Sequence, residues 1–490
     1  MDRTITRRAA LGGLLSGLAA PALATAPLSS LRPRPRPGSL PAPSAAELIS
    51  RAKLGGVTAF YAARADGTLL EAYNGDLALP PASVAKSVTA LYAMDTLGDA
   101  YRFATVLLGT GPIEGGILKG DLILKGTGDP IFDTDALGGL AGQLRDAGVT
   151  AIEGGFFVDD RSLPNVAEID PGQPTQAGYN PSVSGLNLNY NRVHFEWKRA
   201  GDSYDLTMDA RARKYQPKVR MARMRAVADP WPIYTHNVSG SGEDWTVARP
   251  ALGNGGARWL PVRQPALYAG DVFRTLAASM GISLPNAQPE IAELRGTVLA
   301  SHVSPKCRGL CGGMLKYSTN LTAEVLGLRA SQARGAAPET LLGSAAAMNA
   351  WAAKRYGVHM ALVDHSGLGD RSRVSCASLV QMQVQQADFA PVLKSIQAKN
   401  QKGEVLPEAR YSIRAKTGTL NFVNSLSGYL FAPDAEPLVF AIISADLTRR
   451  AAIPPRDRDR PEGSRSYARR ARLLQQGLLA RWAALSASDV

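Results

Sequence analysis

The chain has 490 residues, of which 45% are hydrophobic and 20% charged, the composition of a soluble globular protein. Because single hydrophobic cores stop growing near about 250–300 residues, this length predicts more than one domain. The formal net charge of +13 favours anionic surroundings such as cell-wall polymer or a membrane surface. The sequence has no recognisable nucleic-acid-binding module and no basic stripe with interleaved aromatic residues, which argues against nucleic acid as a partner.

Residues 1–26 are predicted to be an export signal. Thr6–Leu11 resembles a twin-arginine motif, and an apolar run rich in alanine, glycine and leucine ends in small residues at 22–26. An uncleaved transmembrane anchor is the alternative, but the run is short, is diluted by glycine and contains Pro21. We therefore expect cleavage and a periplasmic mature protein exported by the twin-arginine route. Residues 27–43 follow as an extended linker rich in proline and arginine.

The first predicted elements of the folded part are a β-hairpin and a helix. Val57–Ala63 and Thr68–Tyr73 alternate in hydrophobicity on either side of an Ala-Asp-Gly turn, which predicts the hairpin. After two prolines, apolar residues recur at helical spacing from Val84 to Leu97. This pattern places Ser83 in the first turn of a largely buried helix.

Residues 102–296 differ in composition from the segments on either side. They are rich in glycine and proline, with short strand-like runs such as Gly120–Lys125 and Gly154–Val158, and no long amphipathic helix is predicted before Pro265–Gly281. We interpret them as an inserted, mainly β region of one or two subdomains. Residues 44–101 and 297–490 are predicted to form one catalytic domain around this insertion.

The last part of the chain returns to helices and to a second hairpin. Leu426–Phe431 and Leu438–Ile443 are predicted to be its antiparallel strands. Near the C-terminus, an apolar stripe lies on a basic helix, which could pack on a core or lie on a membrane surface. A core face is the more common arrangement, and we favour it here. The stripe consists of Leu474, Leu478, Trp482 and Leu485.

Cysteine and histidine usage predicts neither a disulfide framework nor a metal site. Cys307 and Cys311 are four residues apart on a predicted helix, a poor geometry for a bridge, and Cys376 would be left over. The five histidines are scattered, without metal-ligand spacing. We expect three thiols, and no metal or other cofactor.

Three short motifs carry the residue types that serine acyl transfer with a lysine base needs. They are Ser83-x-x-Lys86, Ser318-Thr319-Asn320 and Lys416-Thr417-Gly418. The second and third occur once each, and the third directly precedes the second hairpin. A second Ser-x-x-Lys copy begins at Ser50, but no hydrophobic helix follows it, so we assign it no catalytic role.

The residue types of these motifs suggest a division of roles. A serine hydroxyl needs a neighbouring base, and Lys86 lies one helical turn beyond Ser83. Burial and a second cation, Lys416, are expected to lower the pKa of Lys86 so that it can accept the proton. Asn320 can accept a hydrogen bond from Lys86 and donate one to a substrate amide, and Ser318 can relay a proton to the departing amine.

The third motif is expected to bind the substrate. Lys416 and Thr417 would hold a substrate carboxylate, and Gly418 would allow a close backbone approach. The oxyanion needs two backbone N–H groups, for which Ser83 and Thr419 are the candidates.

The chain resembles the class C low-molecular-mass penicillin-binding proteins, the D-alanyl-D-alanine carboxypeptidase/endopeptidase family typified by penicillin-binding protein 4. The resemblance covers roughly residues 45–445 and includes further segments around the three motifs. These segments are Leu118–Leu122, Gly126–Pro130, Val158–Asp160, Asn187–Asn191 and Asp364–Leu368.

The resemblance implies an α/β fold of the penicillin-recognising serine hydrolases, with a five-stranded antiparallel sheet between helices and two domains inserted after the first motif. It implies cleavage of D-Ala-D-Ala termini or D-Ala–diaminopimelate cross-links of peptidoglycan through an acyl-serine, and β-lactams as inhibitors. It also suggests that Asp159 contacts the amino group of the stem peptide, although Asp159 could equally be a turn residue at a strand end. His365 and Gly369-Asp370 depart from the family pattern, so the resemblance does not predict the residues that border the substrate site.

Two other functions remain as alternatives. A serine β-lactamase would share the acylation chemistry, but the deacylating Glu-x-x-Leu-Asn pattern of class A enzymes is absent and the insertion is large. A non-catalytic cell-wall-binding scaffold would have no use for the intact Ser83, Lys86, Ser318, Asn320 and Lys416. The motifs suit both carboxypeptidase and endopeptidase activity, and they do not determine the oligomeric state.

Overall fold

The computed structural model describes residues 43–290 and 295–488, so the predicted signal and residues 27–42 of the predicted linker lie outside the described residues. The helices are α1 Ala45–Ala52, α2 Ala85–Leu97, α3 Thr134–Asp146, α4 Pro265–Ser279, α5 Cys307–Tyr317, α6 Asn320–Ala333, α7 Leu341–Tyr356, α8 Cys376–Val384, α9 Leu447–Ala451 and α10 Ser464–Ser488. The strands are β1 Val57–Arg64, β2 Leu69–Tyr73, β3 Ala104–Gly109, β4 Ile113–Glu114, β5 Ile117–Leu118, β6 Leu122–Gly126, β7 Ala151–Ile152, β8 Phe156–Asp159, β9 Arg192–Ala200, β10 Ser203–Asp209, β11 Ala222–Val227, β12 Tyr234–Ser239, β13 Gly242–Ala248, β14 Gly255–Pro261, β15 Ala287–Pro289, β16 Thr297–Val303, β17 Lys394–Ile396, β18 Ser412–Leu420, β19 Val423–Phe431 and β20 Leu438–Ala445.

A six-stranded sheet in the order β17-β18-β19-β20-β1-β2 carries the third motif. All of its neighbouring strands are antiparallel, and both predicted hairpins, β1–β2 and β19–β20, are confirmed. The expected number of strands was five. The sixth is β17, a three-residue edge strand that carries too short a pattern to be recognised in the sequence.

Helices cover both faces of this sheet, as the predicted fold class requires. Ala59, Ala441 and Ile443 point to one hydrophobic cluster, which also contains side chains of α2 and α5 to α8. Phe60 and Ile442 alternate with them and point to a second cluster on the other face, against α1 and α10. Burial on both faces explains why β20 reads as a nearly continuous apolar run.

The C-terminal stripe belongs to the core. Leu474, Leu478 and Trp482 are at most 3% exposed and pack in the second cluster, while Leu485 is partly buried beside them. The core interpretation of α10 is therefore confirmed. Among the described residues, no helix combines the length and the apolar character needed to span a membrane.

The segment after α2 forms separate smaller sheets. A five-stranded sheet has the order β15-β8-β6-β3-β16, and three-stranded sheets have the orders β10-β9-β14, β11-β13-β12 and β4-β5-β7. One correction concerns the boundary predicted at residue 297. Strand Thr297–Val303 pairs with Ala104–Gly109, so it belongs to a sheet of the inserted region. Partners so far apart in the chain leave no local hairpin signal.

A second correction is α3, a 13-residue helix in a region where no long helix was predicted. Gly138, Gly139 and Gly142 lower its intrinsic helix propensity by about 1 kcal/mol each relative to alanine. Its leucines nevertheless lie fully buried in the third hydrophobic cluster, together with side chains of α4. Tertiary burial therefore outweighs the weak local preference.

The three cysteines are buried free thiols, as the spacing argument predicted. Cys307 and Cys311 lie in α5, and Cys376 begins α8.

Candidate active site

Ser83 lies in a one-turn 3-10 helix, Ala82–Val84, that leads directly into α2. The preceding residue, Ala82, has φ +49°, a left-handed conformation that costs a non-glycine residue conformational energy. Ser83 is partly exposed, whereas Lys86, the second residue of α2, is fully buried. The turn thus presents the hydroxyl to solvent while the lysine remains behind it.

Lys86 Nζ has three oxygen neighbours. It lies 3.0 Å from Ser83 Oγ, 2.7 Å from Asn320 Oδ1 and 2.8 Å from the carbonyl oxygen of Ser366. A neutral amine has two N–H groups and one lone pair, and two of these neighbours can only accept. If the two N–H groups donate to Asn320 and Ser366, the lone pair is left for the proton of Ser83. The geometry therefore suits lysine as the base.

Burial lowers the pKa of Lys86 to about 8, although the charges of Glu324 and Asp364 partly oppose this shift. Lys416 is not one of the causes, contrary to the expectation from the sequence. Instead, the pKa of Lys416 falls to about 6, first because of burial and then because of the charges of Lys86 and Lys394.

The second motif lies in the break between two helices. Ser318 ends α5 in a left-handed conformation with φ +61°, and Asn320 is the first residue of α6. Ser318 Oγ accepts a hydrogen bond from Lys416 Nζ at 3.0 Å. Asn320 Nδ2 donates to the carbonyl oxygen of Tyr179 at 2.8 Å with one of its two N–H groups, and a hydrogen bond from the second to a substrate amide stays a prediction.

The third motif lies on β18, whose close contact with the Ser83 turn depends on Gly418. A Cβ on Gly418 would lie 2.8 Å from the Pro81 carbonyl oxygen and 3.0 Å from Ser83 N. No side chain larger than hydrogen fits there. Thr419, the next residue, is exposed and lines the cleft together with Ser83, and their role as the oxyanion hole stays a prediction.

A loop with no predicted catalytic role, residues 364–369, contacts Lys86 through the Ser366 carbonyl oxygen. Glu324 accepts hydrogen bonds from His365 N at 3.0 Å and from Ser366 N at 2.9 Å, which holds the Ser366 carbonyl against Lys86. Gly367, with φ +75°, packs where a Cβ would lie 2.0 Å from the Ala82 carbonyl oxygen. The available signal was the spacing of Asn320 and Glu324, which at i and i+4 share one helix face.

Two buried carboxyl groups, Glu324 and Asp364, hold this loop. Burial and the neighbouring Asp364 raise the pKa of Glu324 to about 8. Asp364 accepts hydrogen bonds from Gly367 N and Gly369 N, and burial raises its pKa as well. His365, a departure from the family pattern, lies fully buried with its pKa lowered to about 3, so it is neutral and has no part in the substrate rim.

The motifs meet at a cleft of about 670 Å³. Ser83, Ser318, Asn320 and Thr419 line its inner part. Charged residues form part of its rim. One of them is Asp370, which departs from the family pattern, and its carboxylate accepts a hydrogen bond from Arg450 Nε at 2.5 Å. Further rim residues come from the inserted region and from the segment before α10: Asp170, Gln173, Tyr179, Arg458 and Asp459.

Not all predicted residues line this cleft. Lys86, Lys416 and Gly418 lie buried behind it, and Thr417 is exposed on β18 but is not a lining residue. Asp159 lies elsewhere, at the end of β8.

Asp159 is held in an ion-pair cluster with Arg161 and Lys125. Its carboxylate contacts Arg161 Nε at 2.9 Å and Lys125 Nζ at 3.0 Å, and it is 3% exposed. It also accepts a hydrogen bond from the Arg161 backbone N–H. These contacts are those expected of a turn residue at a strand end, the alternative given for Asp159, and a contact to a stem-peptide amine stays a prediction.

Within residues 43–290 and 295–488, no group of three or more histidine, cysteine, aspartate or glutamate side chains is arranged to hold a metal ion. The second Ser-x-x-Lys copy lies on α1 and its C-terminal cap, with Ser50 and Lys53 both exposed.

Comparisons with known proteins agree with the fold and with the motifs. The model of the D-Ala-D-Ala carboxypeptidase 3 (S13) family matches residues 44–459. A D-alanyl-D-alanine carboxypeptidase from an Actinomadura species is 26% identical over 422 residues, which cover 78% of this chain and 76% of the relative. The crystal structure of penicillin binding protein 4 from Haemophilus influenzae superposes with a TM-score of 0.68 at 21% identity, over 82% of this chain and 93% of that one.

Proposed function

The chain belongs to the D-Ala-D-Ala carboxypeptidase 3 (S13) family, and we propose that it is a serine D,D-peptidase of peptidoglycan in which Ser83 forms the acyl-enzyme. The observation that carries the proposal is the environment of Lys86 Nζ, bonded at once to Ser83 Oγ, Asn320 Oδ1 and the Ser366 carbonyl oxygen. This arrangement provides a nucleophile, its base and two groups that orient the base.

The proposed reaction begins when neutral Lys86 removes the proton of Ser83 and Ser83 Oγ attacks the D-alanyl carbonyl carbon. The backbone N–H groups of Ser83 and Thr419 stabilise the resulting oxyanion. When the peptide bond breaks, the proton that Lys86 took from Ser83 passes through Ser318, whose Oγ contacts Lys416, to the departing amine. Water then hydrolyses the acyl-serine.

The proposed substrates are stem peptides that end in D-Ala-D-Ala and D-Ala–diaminopimelate cross-links, and β-lactams would acylate the same serine. Lys416 and Thr417 would hold the terminal carboxylate. Because Lys416 has a pKa of about 6, a bound carboxylate would draw a proton to it. Digestion of purified cross-linked muropeptides, followed by mass analysis, would separate carboxypeptidase from endopeptidase products.

Labelling with fluorescent penicillin tests the proposal. Wild type should form a durable adduct, and Ser83→Ala and Lys86→Ala should lose at least about 10³-fold in acylation rate because nucleophile and base act as a unit. The matched control is Ser50→Ala, the exposed serine of the second Ser-x-x-Lys copy, which should label like wild type. Rapid loss of label would support a β-lactamase instead, and the absence of any label would favour the scaffold.

We also propose that the protein acts in the periplasm. The support is the twin-arginine-like segment at Thr6–Leu11 and the apolar run after it. Cell fractionation of the full chain, with a cytoplasmic marker as reference, tests this localisation. Activity found with the marker would contradict it.

A further inference from the structure

The amide of Asn320 is held from both ends. Its Oδ1 accepts from Lys86 Nζ at 2.7 Å, and its Nδ2 donates to the Tyr179 carbonyl oxygen at 2.8 Å. A lysine amine offers N–H donors and a carbonyl can only accept, so one orientation of the amide satisfies both partners. The Tyr179 carbonyl therefore determines which end of Asn320 faces the base.

That carbonyl belongs to a loop of the inserted region, residues 170–180, far from the three motifs in the chain. The side chain of Asn180 closes the loop: its Oδ1 accepts from Asp170 N at 2.9 Å, and its Nδ2 donates to the Asp170 carbonyl oxygen at 2.9 Å. Asn180 is fully buried and lies directly after Tyr179. Reciprocal hydrogen bonds from one buried side chain thus hold both ends of the loop together.

A buried arginine supports the same point. Arg263 donates to the Asn180 carbonyl oxygen at 2.9 Å and to the Ala167 carbonyl oxygen at 2.8 Å, and its side chain is only 10% exposed. The peptide that follows the Tyr179 carbonyl is therefore anchored through the Asn180 side chain and through its backbone. These hydrogen bonds hold the Tyr179 carbonyl oxygen in place at the end of the 170–180 loop.

We propose that Asn180 is a positioning residue for the reaction: it closes the 170–180 loop so that the Tyr179 carbonyl aligns Asn320, and Asn320 in turn orients Lys86 towards Ser83. The inference rests on the proposed acyl-serine chemistry. If the Asn320 amide turned over, an N–H group would face Lys86 Nζ and compete with the Ser83 hydroxyl for its lone pair. The expected defect lies in the acylation step and not in ligand binding.

A double-mutant cycle with fluorescent penicillin tests this route. In stopped-flow labelling, Asn180→Ala should lower the acylation rate constant at saturating penicillin by about 10- to 100-fold, with the half-saturating concentration unchanged, because a misaligned base slows the chemical step. In the Asn320→Ala background the same substitution should change the rate constant by less than about twofold, since the aligned group is already gone. A general structural effect would instead lower the acylation rate constant by the same factor in both backgrounds.

The control is Asn165→Ala, an exposed asparagine of the same inserted region that does not line the cleft and should leave the rate unchanged. If Asn180→Ala does not fold, as judged by thermal unfolding, Asn180→Asp is used, which keeps the acceptor for Asp170 N and loses the donor. The proposal would be overturned if Asn180→Ala lowered the acylation rate constant by the same factor with and without Asn320→Ala. A wild-type rate in a folded Asn180 variant would also overturn it. Wild type that takes no label would instead refute the acyl-serine function itself.

Discussion

Lys86 and Lys416 show how the surroundings of a residue set its role. Each is buried, and the Nζ atom of each lies 3.0 Å from a serine Oγ, Lys86 beside Ser83 and Lys416 beside Ser318. The carboxylates of Glu324 and Asp364 raise the pKa of Lys86, whereas two other lysines lower that of Lys416. Burial lowers the pKa of both lysines, and the nearby charges then separate them, at about 8 for Lys86 and about 6 for Lys416.

The pH dependence of acylation should report on Lys86. Only its neutral form can accept the proton of Ser83, so the rate constant at saturating penicillin should rise with pH, with a midpoint near 8. Between pH 7 and pH 9 the neutral fraction increases about tenfold for a group of this pKa. In the protein without ligand, Lys416 has a pKa of about 6 and is already mostly neutral in this range.

Stopped-flow acylation across this pH range, with circular dichroism to confirm that the fold is unchanged, measures the midpoint. A rate constant that stays level from pH 7 to pH 9 would show that Lys86 is not the titrating base.

At the scale of elements, the contact between strand β18 and the turn before α2 forms the site. Ser425 on β19 donates to the Pro81 carbonyl oxygen at 2.6 Å and so fastens the turn to the sheet. Gly418 on β18 lets the strand come close enough for this bond. Ser83, the proposed nucleophile, is therefore positioned by the sheet as well as by its own helix.

Gly418→Ala should break this contact. Its Cβ would lie 2.1 Å from Ser425 Oγ and 2.8 Å from the Pro81 carbonyl oxygen, so the turn must shift. We expect the acylation rate to fall by about 10²-fold, as for other displacements of a reacting group by an ångström. Stopped-flow labelling of the folded variant measures this.

Gly139→Ala provides the matched control. Gly139 is an exposed residue within α3, and a Cβ there meets nothing within 4 Å. Acylation should be unchanged, and the free energy of unfolding should rise by about 0.5–1 kcal/mol from improved helix propensity. Equal acylation rates in the two variants would mean that the close approach at Gly418 is not required.

At the scale of the whole molecule, the first and last described helices pack together on the sheet. Trp482 of α10 is fully buried, lies 5.6 Å from the ring of Phe60 by centroid and donates through Nε1 to Glu71 at 2.8 Å. Leu48 of α1 joins the same cluster. The two ends of the described chain thus cover the sheet face opposite the catalytic helices.

Trp482→Ala should therefore destabilise the fold without direct damage to the site. Large-to-small changes of a buried tryptophan cost about 3–5 kcal/mol in free energy of unfolding. Leu485→Ala, at a partly buried position of the same helix, should cost clearly less. Thermal and urea unfolding compare the two variants. A smaller loss at Trp482 than at Leu485 would contradict the packing of α10 as a core helix.

Much of the site could be predicted from the sequence because its signals are local. Ser83 and Lys86 are three residues apart, both hairpins show their alternation within short windows, and Gly418 follows directly on a lysine and a threonine. Local patterns failed where burial decided the outcome. The glycine-rich helix α3 and the three-residue strand β17 are both stabilised by neighbours remote in the chain.

The sequence by itself determined which residues are proposed as the nucleophile, its base and the two further motifs, because those roles need particular side chains at characteristic spacings. Only the tertiary structure decided how the base is oriented. Two of the groups that do this are the carbonyl oxygens of Ser366 and Tyr179, 280 and 141 positions away from the side chains that they contact. Every residue carries the same backbone carbonyl, so no residue type marks these two, and folding alone brings them to the site.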